Sequence, residues 1–228
     1  SCVDNSGNLY FTGAFSSSSY FGNDTLESLS IGSAFIGKVD GAGTIIWGRK
    51  AEGYDPLMGP RCEVFYDNYD NSLVVSSRMS GWNQQVSDCL PFQGQFGERN
   101  FHLTKLDVDG NCVWTHNYND EFVLSMVADG VGHLYAIMSV VSGGSMFNGE
   151  FLSGGLYLIK LKSDNGAVHW ANRILDWVAG FPGIAYQNGT LWISGDSGSG
   201  TSFNFSGSTH STYPNDVFVA KLDTSATV

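Results

Sequence analysis

The sequence predicts an all-β chain made of four similar, consecutive four-stranded units. Three observations carry that expectation. The stretch Ala34 to Trp47, AFIGKVDGAGTIIW, recurs as FHLTKLDVDGNCVW (Phe101 to Trp114), as LYLIKLKSDNGAVHW (Leu156 to Trp170) and, without its end, as VFVAKLDTSATV (Val217 to Val228). Short runs of alternating apolar and polar residues, bounded by Gly, Asp and Asn, read as strands joined by tight turns. Gly is abundant at 29 residues while charged side chains are only 14%, which marks a chain rich in turns around an apolar core.

Each unit reads as strands A to D. In the first, a remnant of A lies at Ser1 to Asp4, B at Asn8 to Phe15, C at Ala34 to Asp40 and D at Thr44 to Lys50. The second gives Glu63 to Asp67, Ser72 to Arg78, Phe101 to Asp107 and Asn111 to Asn117. The third gives Leu124 to Ala128, His133 to Val140, Leu156 to Lys162 and Ala167 to Ile174. The fourth gives Gly183 to Gln187, Thr190 to Asp196 and Val217 to Asp223, with only a stub for D. A leucine opens strand B at Leu9, Leu73, Leu134 and Leu191, and Lys38, Lys105, Lys160 and Lys221 mark strand C. The turns Asp40-Gly41, Asp109-Gly110 and Asn165-Gly166 supply residues that tolerate positive φ in a hairpin. Asp107 to Asn111 resembles a calcium loop but lacks its bidentate glutamate, so it reads as a turn.

Four short strands cannot bury both faces alone, so the units are expected to stack face to face as the blades of a β-propeller. The array spans 1–228, with repeats at about 1–53, 54–120, 121–177 and 178–228 and an incomplete last blade. Membership of a larger propeller or array stays open. Trp47, Trp114 and Trp170 hold one equivalent place on strand D and are expected to dock neighbouring blades. The missing last strand leaves an edge, and two outcomes are open for it: self-association with another copy of the chain, or cover by further sequence.

The unit G-N-L-Y-x-T-G-x-F (Gly7 to Phe15), then Phe21-Gly22, then A-F-I-G-K-V-D-x-x-G-x-x-x-W (Ala34 to Trp47), resembles the β-propeller repeat of secreted bacterial surface proteins. The fourth repeat keeps G-T-L-W-I-S-G and D-V-F-V-A-K-L-D, and the middle two match loosely. The resemblance implies an extracellular propeller, often within a modular polypeptide. It transfers no catalytic residues.

Composition narrows the partners. With 22 acidic and 11 basic side chains the formal charge is −11, which repels a phosphate backbone, so no nucleic acid is expected. No run approaches the roughly 18 apolar residues of a spanning helix. Cys2, Cys62, Cys89 and Cys112 lack zinc-type spacing and fit disulfides of an oxidising compartment. Cys62 enters strand A and Cys89 lies in the BC loop of the same blade, so these two are expected to pair. Asn23, Asn188 and Asn204 open Asn-x-Ser/Thr triplets and are candidate glycan acceptors, and Asp24-Thr25-Leu26 makes Thr25 a candidate for O-glycosylation.

The long BC loops, at 16–33, 79–100, 142–154 and 197–215, share one end of the blades with the DA connections and are where a binding site is expected. Trp82, and Trp177 with Phe181, are candidate ligand-binding aromatics, since a ring face stacks on sugars. Packing of their own loops is the alternative reading. The histidines are scattered without ligand spacing, no nucleophile motif occurs, and no cofactor or metal is expected. Paired carboxylates, Asp67 with Asp70 or Asp120 with Glu121, serve glycoside hydrolysis only across a cleft. The expectation is therefore a secreted or cell-surface, non-catalytic module with a structural or adhesive role. The alternatives are a carbohydrate-binding propeller and a polysaccharide-active enzyme.

Overall fold

The computed structural model describes residues 1–28, 33–52, 61–80, 83–93, 99–119, 121–140, 143–147, 149–175, 182–196, 202–205, 208–211, 213 and 216–225. Among them every regular element is a strand. The chain forms two compact units, Ser1–Asp120 and Glu121–Val228, divided between the second and third repeats.

The first unit holds β1 (Cys2–Val3), β2 (Leu9–Phe15), β3 (Ser18–Phe21), β4 (Asp24–Glu27), β5 (Ser33–Val39), β6 (Ile45–Glu52), β7 (Arg61–Asp67), β8 (Ser72–Ser80), β9 (Asn83–Val86), β10 (Phe92–Gln93), β11 (Arg99–Asp107) and β12 (Cys112–Asn119). Its two main sheets run β1-β2-β5-β6, extended by β9-β10, and β7-β8-β11-β12. The second unit holds β13 (Glu121–Ala128), β14 (His133–Val140), β15 (Ser145–Phe147), β16 (Glu150–Leu152), β17 (Gly155–Lys162), β18 (Val168–Leu175), β19 (Gly183–Gln187), β20 (Thr190–Asp196), β21 (Ser202–Phe205), β22 (Ser208–Ser211) and β23 (Val217–Asp223). Its main sheets run β13-β14-β17-β18 and β19-β20-β23. Every pairing is antiparallel, and within each repeat strands A to D pair in chain order, so each repeat is a meander; the β6–β9 pairing crosses from the first repeat to the second. The expected strands A to D appear in place. Each BC loop also carries a short hairpin, β3–β4, β9–β10, β15–β16 or β21–β22.

A bulge recurs at the C–D hairpin of three repeats. Val39 pairs with Ile45 but Lys38 with Trp47, Leu106 with Cys112 but Lys105 with Trp114, and Leu161 with Val168 but Lys160 with Trp170. One extra residue in strand D is thereby skipped, which returns the tryptophan to the face of its lysine. Ile46, Val113 and His169 take the skipped place, and all three are exposed.

Aspartates close the hairpin turns at the same end of the sheets. Oδ1 of Asp40 accepts from the Ala42 and Thr44 amides, and Oδ1 of Asp107 accepts from those of Asp109 and Asn111, all at 2.8–2.9 Å. Asp4 holds Ser6 and Asn8 in the A–B turn, and Asp129 holds Val131 and His133. Such side-chain turns suit Asp because its short carboxylate reaches the amide two residues on. Burial pushes the Asp4 carboxyl up, but hydrogen bonds from Asn8, Tyr10 and Ser6 outweigh it and hold it below the ordinary value. The positive φ still falls on glycine, at Gly7, Gly43 and Gly110.

The cores lie between consecutive sheets of one unit. In the first, Tyr10, Ala34, Ile36 and Trp47 pack with Val64, Leu73, Val75 and Leu106. Polar contacts follow the same seam: Lys38 Nζ and Trp47 Nε1 both donate to Val108 O, at 3.0 and 3.2 Å, and Thr12 Oγ1 donates to Cys62 O at 2.6 Å. In the second unit Tyr135, Ile137, Leu156 and Leu158 pack with Leu191, Ile193 and Leu222. Tyr135 stacks on Tyr186, with ring centres 6.1 Å apart and planes 7° from parallel.

The second repeat buries a charge. Lys105, fully enclosed, donates from Nζ to Asp67 Oδ2 at 3.1 Å and to Asp70 Oδ2 at 2.7 Å. One ammonium therefore bridges Asp67 and Asp70, and the two do not face each other across a cleft; Asp120 of the other carboxylate pair lies outside the described residues. Replacing Lys105 by Ala leaves the buried Asp67 carboxylate without this ammonium, with an expected loss of about 3–5 kcal/mol in stability. Urea unfolding of Lys105→Ala measures it, and a loss under about 1 kcal/mol refutes the ion pair as a structural support.

Candidate functional site

The candidate site of the first unit is built on the segment 83–93. After leaving β8 of the second repeat it forms β9, which pairs with β6 of the first through Ala51↔Val86 and Glu52↔Gln85. The segment continues along β6, with the Ser87 amide donating to Lys50 O at 2.8 Å. Ser87 reaches the turn of the second repeat, where its hydroxyl donates to Gly110 O, and Asp88 Oδ1 accepts from the Cys112 amide at 2.7 Å. A disulfide then joins Cys89 to Cys112. The segment is a strap across both sheets.

The strap corrects the expected Cys62–Cys89 bridge. That expectation kept the BC loop at its own end of the blade, whereas strand pairing with β6 carries Cys89 to the opposite end, where Cys112 opens β12. Cys62 and Cys2 are free thiols, both packed against the core of the first unit. Burial pushes the Cys62 thiol up to about 12 and that of Cys2 to about 11, so both are poor nucleophiles.

Beneath the strap, Cys62, Ser77, His102 and Asn117 are cross-strand neighbours in one row over β7, β8, β11 and β12. His102 Nε2 lies 2.7 Å from Gln84 Oε1 of β9, and with the amide oxygen accepting, Nε2 carries the proton. Phe92 of β10 meets the ring edge to face. Burial drops the His102 pKa from 6.5 to about 4, so the imidazole is neutral at pH 7. Ser77 Oγ, Asn117 Oδ1 and both amide atoms of Asn100 are buried without a hydrogen-bond partner among the described residues. A neutral His held by the Gln84 amide ties the strap to the sheet.

The other side of the strap borders a cavity of about 360 Å³, lined by Asp24, Thr25, Leu26, Gly48, Arg49, Lys50, Ser87, Asp88 and Asn111. Asp24 Oδ2 accepts from the Gly48 amide at 3.0 Å and from Arg49 Nη1 at 3.2 Å, anchoring the β3–β4 hairpin to β6. Lys50 Nζ donates to Glu27 O and pairs with Glu52. The lining mixes polar and apolar surface in equal measure, carries both charges and contains no aromatic ring, a chemistry suited to a small hydroxylated or zwitterionic ligand.

The remaining candidates are spread out. Thr25 is exposed on β4 at the cavity wall, and the Asp24 beside it is occupied by the hairpin anchor. Asn23 and Asn188 are exposed in turns, Asn188 at φ 50°, and Asn204 lies on β21. Trp82, Trp177 and Phe181 lie outside the described residues. Trp47 is buried in the core and packs on Tyr10, while Trp114 and Trp170 are half-buried beside His116 and Tyr135. No group of three metal-ligating side chains occurs among the described residues. Sequence reasoning missed the strap, although Gln84-Gln85-Val86 between two cysteine-bearing segments is its signal in retrospect.

The histidine gives a pH test. The unfolded chain binds a proton near pH 6.5 that the folded chain refuses until about 4, so stability is full above 6.5 and falls as pH drops toward 4. NMR titration of the His102 ring checks this, and a midpoint near 6.5 refutes the burial beneath the strap. Comparison with models of known protein families gives no match for this chain, and comparison with curated proteins gives none either.

Proposed function

We propose that this chain is a non-catalytic β-propeller module of an extracellular structural or adhesive assembly, related to the repeats of secreted bacterial surface proteins. The observation that carries the reading is the Cys89–Cys112 strap, a disulfide that clamps one four-stranded meander to the next. Disulfides persist in oxidising compartments and are uncommon where thiols are kept reduced. Face-to-face packing within each unit, with repeated Lys and aromatic positions along the seam, is the packing that propeller blades use. Among the described residues, His102 is engaged with Gln84 of the strap, His133 with Asp129 of its turn, and Asp67 and Asp70 with Lys105. Fractionation of the native material tests the reading. A surface component is expected in the extracellular or envelope fraction, in high-mass species, with Cys89 and Cys112 oxidised in peptide mapping; a reduced, intracellular monomer overturns it.

Carbohydrate binding is the second reading, and the cavity beside the strap, with its charged and hydrogen-bonding side chains, favours it. Glycan binding through the cavity is expected to weaken at least tenfold in Lys50→Ala. Binding that survives Lys50→Ala but disappears in Trp82→Ala or Trp177→Ala moves the site to the aromatic loops, and a blank glycan array removes the reading.

A further inference from the structure

We propose that His133 and His169 of the second unit form a two-histidine site for a divalent cation of the zinc class, with water completing its coordination. The site goes beyond the structural and carbohydrate readings above and depends on neither.

Comparing equivalent places in the repeats isolates the pair. The residue before the leucine that opens strand B is Asn8, Ser72, His133 or Thr190, and the residue skipped by the strand D bulge is Ile46, Val113 or His169. The fold therefore accepts an amide or a hydroxyl at the first place and an aliphatic side chain at the second. Of the three repeats with this bulge, only the third has histidine at either place, and it has histidine at both. The two are far apart in sequence, so no ligand spacing signals them. His133 lies on β14 and His169 on β18, with β17 between, yet the rings approach to 6.2 Å between centres, their planes 56° apart. A bulge is a place where an extra residue re-aims a side chain, and His169 occupies it.

One ring is already oriented for a metal. Oδ1 of Asp129 accepts from the Val131 and His133 amides at 2.9 and 3.0 Å, which fixes the enclosed carboxylate in its turn, and Oδ2 lies 3.0 Å from His133 Nδ1. A carboxylate accepts, so Nδ1 carries the proton and, in the neutral ring, Nε2 keeps its lone pair. A carboxylate placed behind a histidine in this way fixes the tautomer and raises the basicity of the coordinating nitrogen in metal sites. In the first repeat the same contact holds an amide, Asn8 Nδ2 donating to Asp4 Oδ2 at 2.8 Å, beside the aliphatic Ile46. His169 is exposed, and its ring nitrogens have no hydrogen-bond partner among the described residues, so coordination breaks no bond there. A metal about 2.1 Å from each nitrogen is about 3.2 Å from each ring centre, so two rings at a tetrahedral angle stand about 5.2 Å apart. Rotation of the exposed His169 closes the observed 6.2 Å to that spacing. Imidazole suits zinc, copper and nickel, whereas magnesium and calcium take oxygen ligands. Lys162, opposite His133, is exposed and long enough to hold its ammonium in water. Two protein ligands make an open, exchangeable site, unlike the closed four-ligand sites in which zinc is structural.

Zinc titration of the untagged full chain at neutral pH, followed by calorimetry and by NMR of the histidine rings, tests this. One Zn2+ per chain is expected, with the His133 and His169 ring signals shifting together as zinc is added. Two variants separate the ligands from the fold. His133→Asn supplies the side chain that grips the turn carboxylate in the first repeat, and His169→Val the one that the second repeat carries at its bulge, so both suit the fold, and circular dichroism checks it. Each variant is expected to weaken zinc binding at least tenfold, and the double variant no further than either, because a shared ion is lost with its first ligand. Absence of zinc binding in the wild type overturns the proposal. Binding that persists unchanged in both variants places the ion elsewhere and overturns it as well. Loss in one variant alone shows a single-histidine contact, which overturns the shared site.

Discussion

Apolar packing between consecutive four-stranded sheets is the constraint on which the rest of this molecule depends. A meander of short strands has two faces and too little area to bury either by itself. The chain meets this by placing one aromatic on strand B and one on strand D opposite the same lysine, as with Tyr10, Trp47 and Lys38. The bulge is what makes that convergence geometrically available. Without the skipped Ile46, strand D would present its tryptophan to the wrong face, and the Trp47 indole could not reach Val108 O. The lysine is then free to bridge outward to the next turn or, in the second repeat, to sink into the pair of carboxylates.

The strap adds a covalent clamp to that non-covalent seam. Its strand β9 takes hydrogen bonds from the first repeat, its Gln84 meets His102 of the second, and its cysteine closes on the turn of the second. The cavity beside it is lined on one side by this strap, at Ser87 and Asp88, and on the other by the β3–β4 hairpin's anchor at Asp24 and Arg49.

Much of this was legible in the amino-acid order. Strands A to D could be read because alternation and Asp-Gly turns are local signals, and the structure places them where those signals fall. The small hairpins could not be read, because stretches such as SSSSYFGNDTLE are as polar as a loop and their pairing covers the sheet from outside. The disulfide partner was misjudged for a reason of range: Cys89 reaches Cys112 only through a pairing between two repeats, and no local pattern encodes that. The turn aspartates were recognised for their backbone tolerance, while their carboxylates' grip on two amides is a geometric fact. Of the candidate site, Thr25 proved to border the cavity, and the loop tryptophans fall outside the described residues.

The borrowed strand has a consequence for cooperativity. Repeat proteins are commonly treated as a line of units whose stabilities and nearest-neighbour couplings add. Here the first sheet includes β9, a segment belonging in sequence to the second repeat, so the first cannot reach its full complement of hydrogen bonds before its neighbour is in place. The first two repeats, which form one compact unit, are therefore expected to unfold together, and excising either would cut through that unit instead of between two. In the first unit the smallest piece that keeps every strand pairing is the pair of repeats.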